Sequence, residues 1–235
     1  MPPDRAAEAP IPAVVLDLVG TLLDTAAEIA AALERTFVGL GVPTLPKAAV
    51  ERLIGRGVPS MIERALAQVG APALDCRDAV ERFEANYALS VATTAELYAG
   101  AREGLDLLQT HGVALAVVTN KPRLFTERLL DRAGLRDVLG VVVAGDDGLS
   151  RKPSGAMLAA AFAQMGSTAA QTLMLGDSRN DVEAARDAGC RVWCVPYGYN
   201  EGQPVATLGC DRIVETIEEA ARLVIESWPH RGPAR

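Results

Sequence analysis

From about residue 97 the chain alternates between two kinds of segment almost to its end. "VALAVVT", "VVVA", "TLMLGD" and "VWCVP" are short, nearly continuous apolar runs. Between them lie stretches with helical spacing: Phe125, Leu129, Leu130 and Ala133, then Met157, Leu158, Ala161, Phe162 and Met165, then Val182, Ala185 and Gly189. Apolar runs too short for helices, separated by one-faced helices, predict a parallel sheet covered on both sides.

One more strand, Ala13 to Asp17, stands alone near the start. Three helical faces follow it: Ile29, Leu33, Phe37 and Leu40; Met61, Ile62, Ala65, Leu66 and Val69; Val80, Phe83, Tyr87 and Val91. A lone strand ahead of a helical block has no partner except the later sheet. The expected architecture is therefore α/β, a doubly wound, Rossmann-like parallel sheet with an inserted helical cap. Residues 11–24 and 97–227 make the core and 25–96 the cap, with loose tails at 1–10 and 228–235.

With 235 residues, about half of them apolar (49%), the chain can bury a substantial core. A net charge of −7 without any basic run argues against nucleic acid and against anionic membrane surfaces. No apolar run approaches the roughly 18 residues of a membrane helix, and no signal peptide is evident, so the expected compartment is the cytoplasm. Cys76, Cys190, Cys194 and Cys210 lack paired metal spacing and read as thiols of the fold. His111 and His230 receive no role, and the oligomeric state is not legible.

Ligands of a doubly wound sheet bind outside the C-terminal ends of its strands. That edge collects Asp17, Thr119 with Asn120, Asp146 with Asp147, and Asp177, with Lys152 close behind in "RKPSG". Any one of these could be a turn residue. Together they suit phosphoryl transfer: Asp17 and Asp177 are hard oxygen ligands for Mg²⁺, and Lys152 and the Thr119 hydroxyl can orient phosphate oxygens. A carboxylate beside a metal and a cation can attack phosphorus. Asp24 fits a helix N-cap better than a functional role, and Asp146 and Asp147 fit turns.

"VVTNKP", "AGDD", "KPSG", "GDSRNDVEAARDAG" and "PYGYNEG", behind Asp-x-x-Gly-Thr at residue 17, resemble the haloacid dehalogenase superfamily, and within it the bacterial phosphoglycolate phosphatases. The likeness spans about residues 13–225. It implies Asp17 as nucleophile and Mg²⁺ ligand, the backbone carbonyl of Val19 and Asp177 as further ligands, and Asp181 as a direct or water-mediated one. It implies Thr119 and Lys152 as catalytic partners of the phosphoryl group, Asn120 and Arg56 (in "LIGRG") beside the substrate, and Ser178 and Asn180 as supports. The implied substrate is a small phosphorylated metabolite such as phosphoglycolate.

Val19 departs from the pattern. Phosphatases of this family carry an aspartate there, which protonates the leaving alkoxide and activates the hydrolytic water. Valine does neither, a loss of about 10²- to 10⁴-fold. Three explanations follow: another proton donor from the cap or the substrate itself, an impaired phospho-ligand binder, or a C–P hydrolase of the phosphonoacetaldehyde type, which needs a cap lysine where this cap offers only Lys47. A signalling receiver domain also combines Asp, Thr and Lys, but it is about half this length and carries its acidic pair upstream of the nucleophile.

Overall fold

The computed structural model describes residues 12–227. The tails expected at 1–10 and 228–235, with His230, lie outside the described residues. In chain order the strands are β1 (Ala13–Leu16), β2 (Leu23–Asp24), β3 (Glu96–Leu97), β4 (Ala114–Val118), β5 (Val141–Val143), β6 (Thr172–Gly176), β7 (Arg191–Cys194) and β8 (Arg212–Ile213). The α-helices are α1 (Ala26–Leu40), α2 (Lys47–Glu51), α3 (Val58–Gln68), α4 (Cys76–Ala88), α5 (Ala101–Thr110), α6 (Arg123–Arg132), α7 (Ala156–Met165), α8 (Arg179–Ala188) and α9 (Ile217–Glu226).

Six strands form one parallel sheet in the order β5-β4-β1-β6-β7-β8. The strand that stood alone in the sequence is its centre: β1 pairs with β4 on one side and β6 on the other. Period-two alternation then divides the apolar runs between two cores. Val14, Leu16, Leu115, Val117, Leu173 and Leu175 face one cluster, while Val15, Ala116, Val118 and Met174 face the other. Both faces are dry, which is why these strands are apolar throughout rather than alternating.

In chain order α1 to α4 fall between β1 and β4. The chain leaves toward them through β2 and returns through β3, and these two-residue strands pair antiparallel, Leu23 opposite Leu97. The return is further held by Glu28, whose buried carboxylate accepts the backbone N–H groups of Ala92 (3.0 Å), Thr94 (2.6 Å) and Ala95 (3.0 Å). Those bonds hold Ala92 at φ 66°, a left-handed conformation that costs a non-glycine residue about 1 kcal/mol or more. The helical block is thus tied at its neck by a strand pair and one side chain.

α2, β2, β3 and β8 are not foreseen by periodicity, being two to five residues long. Asp24 sits one residue before the N-cap position, which is Thr25, and its carboxylate accepts the Ala26 amide at 3.0 Å and the Tyr199 hydroxyl. Asp146 and Asp147 also serve the fold. Asp146 accepts the first amide of α6 from Arg123 at 2.7 Å, and Asp147 pairs with the Arg123 guanidinium and accepts the Ala144 amide at 2.9 Å. Cys190 and Cys194 are buried, and the cysteines are free. No helix among the described residues is long and apolar enough to cross a membrane.

Candidate active site

The central position of β1 decides where Asp17 goes. Its amide continues the ladder by donating to Leu175 O at 2.9 Å, so the carboxylate emerges between the ends of β4 and β6. Thr119 follows β4, its amide donating to Val143 O, and Asp177 follows β6. Lys152 arrives from the loop between β5 and α7. Its ammonium donates to Asp17 Oδ1 at 2.6 Å, Asp181 Oδ1 at 2.7 Å and Val118 O at 2.8 Å. All three N–H bonds are therefore used, and the lysine is locked against the nucleophile candidate. Burial alone would depress Lys152, but Asp17 and Asp181 outweigh it and hold the group above the ordinary lysine range.

Asp181 occupies the first turn of α8. One of its oxygens holds Lys152, and the other accepts Ser178 Oγ at 2.7 Å, Ser178 N at 3.0 Å and Asp177 N at 3.2 Å. This reciprocal arrangement with Ser178 caps α8 and orients both acids. Asp177 accepts the Thr21 hydroxyl at 2.9 Å and the Tyr199 amide at 2.6 Å. Backbone must approach closely for this. A Cβ on Gly20, which sits at φ 94°, would lie 2.4 Å from Asp177 Oδ2, and one on Gly198 would lie 2.3 Å from it.

Oxygens of Asp17, Asp177 and Asp181 lie within 4.8 Å of one another, all buried. Three carboxylates face one ammonium. Burial pushes Asp17 up to about 6 against the opposing pull of Lys152, and burial with the charges of Asp181 and Asp17 raises Asp177 well above the carboxylate range. Hard oxygen donors with an uncompensated negative charge, in a cradle too tight for any side chain at Gly20 or Gly198, fit a small divalent cation such as Mg²⁺.

Above Asp17 lies a cavity of about 60 Å³, lined from the core by Asp17, Val19, Thr119, Asn120 and Lys121 and from the cap by Ile54, Val58, Met61, Phe83 and Tyr87. That is room for only a few waters, so the space between core and cap is small. Thr119 Oγ1 accepts the Lys121 amide at 3.3 Å and keeps its own proton to donate.

Two sequence candidates sit differently from Asp17. The Asn120 amide is fully engaged: it donates to Lys152 O (2.8 Å) and to Gly55 O of the cap (3.0 Å), and it accepts Lys152 N (2.9 Å). Asn120 therefore ties two core loops to the cap. Arg56 pairs with Glu201 at 2.8 Å, as does Arg64 at 2.9 Å, so its guanidinium spans the cap–core seam instead of pointing at the carboxylates. Lys47 pairs with Glu51 on α2, away from the cavity. Asn180 lies at the seam as well, its amide 3.3 Å from where a Gly55 Cβ would be. Thr21, Tyr199 and Lys121 receive no role from sequence, although Asp-x-x-Gly-Thr, "PYGYNEG" and "VVTNKP" contain them. Nothing in periodicity says that a loop amide will reach a carboxylate on another strand.

The model of the haloacid dehalogenase-like hydrolase family matches residues 14–195. The chain belongs to that family. A phosphoglycolate phosphatase of Nitrosospira multiformis is 41% identical over 221 residues, covering 93% of this chain and 97% of its own. The crystal structure of a predicted phosphoglycolate phosphatase from Haemophilus somnus 129PT superposes with a TM-score of 0.86 at 27% identity, covering 91% of this chain and 97% of that one. CbbY of Rhodobacter sphaeroides, solved with phosphate, gives 0.76 at 26% identity over 89% and 96%. Within the family this chain is one of the phosphatases.

Proposed function

We propose that this chain is an Mg²⁺-dependent phosphohydrolase acting on a small phosphorylated metabolite of the phosphoglycolate kind, through an aspartyl-phosphate on Asp17 and at a rate limited by Val19. The observation that carries this reading is the Lys152 ammonium bridging Asp17 and Asp181 beneath a small cavity between core and cap. Asp17, Asp177 and the Val19 backbone carbonyl would hold the Mg²⁺, with Asp181 joining directly or through water. Bound there, the cation supplies charge neutralisation, letting a phosphoryl dianion approach three carboxylates.

The chain's own groups do the rest. Lys152 fixes the Asp17 carboxylate and Thr119 donates to a phosphoryl oxygen. Asp17 attacks phosphorus, forming a carboxylate–phosphorus bond as the ester P–O bond breaks and its electron pair leaves on the alkoxide. Water then attacks phosphorus, releasing phosphate and restoring the Asp17 carboxylate. The proton needed by the alkoxide, and the one taken from the water, have no side-chain carrier at position 19. Cap side chains exclude bulk water while the seam contacts hold.

The test is phosphate release from phosphoglycolate with and without Mg²⁺. Release that is abolished by chelation and restored by Mg²⁺, and that exceeds release from hexose phosphates, is expected. Chelator-insensitive release would contradict the reading.

A further inference from the structure

Lys121 is the one cation among the described residues lining the cavity. Lys152 is spent on Asp17, Asp181 and Val118. Lys121 instead donates a single hydrogen bond, 3.0 Å, to the Tyr87 hydroxyl of α4, and its Nζ stands 4.5 Å over the centre of the Tyr87 ring. That bond crosses from core to cap. Tyr87 is itself fully buried, stacked on Phe83 at 5.6 Å and edge-on to Phe125 of α6 at 4.9 Å, so the contact is built in when the cap is seated. Lys121 makes no ion pair with a described carboxylate, and two of its N–H donors remain. A half-buried ammonium with no carboxylate in ion-pair contact, on a cavity whose other polar lining is Asp17, Thr119 and Asn120, leaves a charge for a ligand to complete. Burial pushes this lysine down to about 8, against the pull of Glu28 and Asp17, as expected of a cation lacking its partner.

We propose that Lys121 is the specificity residue of this site, receiving a second anionic group, a carboxylate, from a phosphate monoester whose phosphoryl group rests on Asp17 and Thr119. The substrate class is then a short phosphorylated hydroxy acid. The inference deepens the reading of Asp17 as phosphoryl acceptor and rests on it. The Tyr87 hydroxyl and ring hold Lys121 in place, so the carboxylate is read with the cap closed. Among alternatives, a proton-donating Lys121 would act on the ester oxygen rather than on the carboxylate, and the two roles separate by substrate.

The experiment compares the full chain with Lys121→Met on phosphoglycolate, on 2-hydroxyethyl phosphate (the same kind of alkoxide, without a carboxylate) and on p-nitrophenyl phosphate. Calorimetric binding of phosphoglycolate and of inorganic phosphate, with Mg²⁺ present and with Asp17→Asn as the background for both chains, supplies a readout independent of turnover. The expected result is a loss of about 10- to 100-fold in kcat/KM and in affinity for phosphoglycolate. The two esters that lack a carboxylate, and inorganic phosphate, should stay within about threefold. An equal loss on both alkyl esters, with the aryl ester spared, would overturn the proposal in favour of proton donation. Equal loss on everything would mark a structural role, and no change would remove Lys121 from the site. Failure of the phosphohydrolase reading looks different: the unsubstituted chain would release phosphate from none of the three.

Discussion

Asp17→Asn is expected to reduce Mg²⁺-dependent phosphate release by about 10⁴-fold or more, the scale seen when a covalent nucleophile is removed. The substitution keeps the side chain's shape, so the loss has a chemical origin. It also removes one of three clustered carboxylates, while Lys152 retains Asp181 and Val118 O as acceptors. The variant should therefore melt at or above the temperature of the unsubstituted chain, because burial already disfavours charge at Asp17. Phosphate release and a thermal melt on the same sample check both halves. Substantial turnover by a folded Asp17→Asn chain would exclude the aspartyl-phosphate route.

Val19→Asp is expected to raise turnover of phosphoglycolate by about 10²- to 10⁴-fold. Val19 lines the cavity beside Asp17 and Thr119, partly exposed to it, so a carboxylate there meets the site without entering the core. Its backbone is already held by the turn: Gly20 N donates to Leu23 O at 3.0 Å and Leu23 N to Leu18 O at 2.9 Å. The side chain can change while the carbonyl stays where it is. The gain should be greatest for alkyl esters, whose alkoxide must be protonated as it leaves. On p-nitrophenyl phosphate, whose leaving group is a weak base, any gain comes from the hydrolytic step alone. The accompanying cost is a fourth carboxylate near the cluster, so the variant should require more Mg²⁺ for full activity. Steady-state kinetics on the two esters, across an Mg²⁺ titration, measure all three effects.

How much of this could be seen in the residues alone follows from what each element depends on. The central sheet was legible because both its faces are buried, which forces continuous apolar runs such as "VALAVVT" and "TLMLGD". Strand ends then located Asp17, Thr119 and Asp177, since topology puts all parallel strands' C-termini on one edge. Lys152 was legible only through its proximity to one of those ends and through the family resemblance. What hid from the sequence was everything decided by a meeting of distant loops. Tyr199 reaches Asp177 across 22 residues and Thr21 reaches it across 156. Tyr87 has the spacing of an ordinary core aromatic, and its hydroxyl's bond to Lys121 depends on how the cap is seated. Arg56 shows the same limit from the other side. Its residue type suits a substrate, yet Glu201 pairs with it across the seam. β2 and β3 escaped because two residues carry no period, although their pairing is what ties the cap to the sheet.

The proposed route has Asp17 phosphorylated and then left, because of Val19, without a base to hydrolyse the phosphoenzyme. Rapid mixing of the unsubstituted chain with p-nitrophenyl phosphate and Mg²⁺, followed by acid quench, tests it directly. Formation of the phosphoenzyme needs no proton donor for this leaving group, whereas its hydrolysis does need the missing base. The predicted result is a burst of p-nitrophenolate approaching one equivalent per chain, then slow turnover, with the phosphoryl group recovered on the peptide containing Asp17. Steady release of phosphate from the first turnover, with no burst and no phosphoryl group on Asp17, would exclude this route.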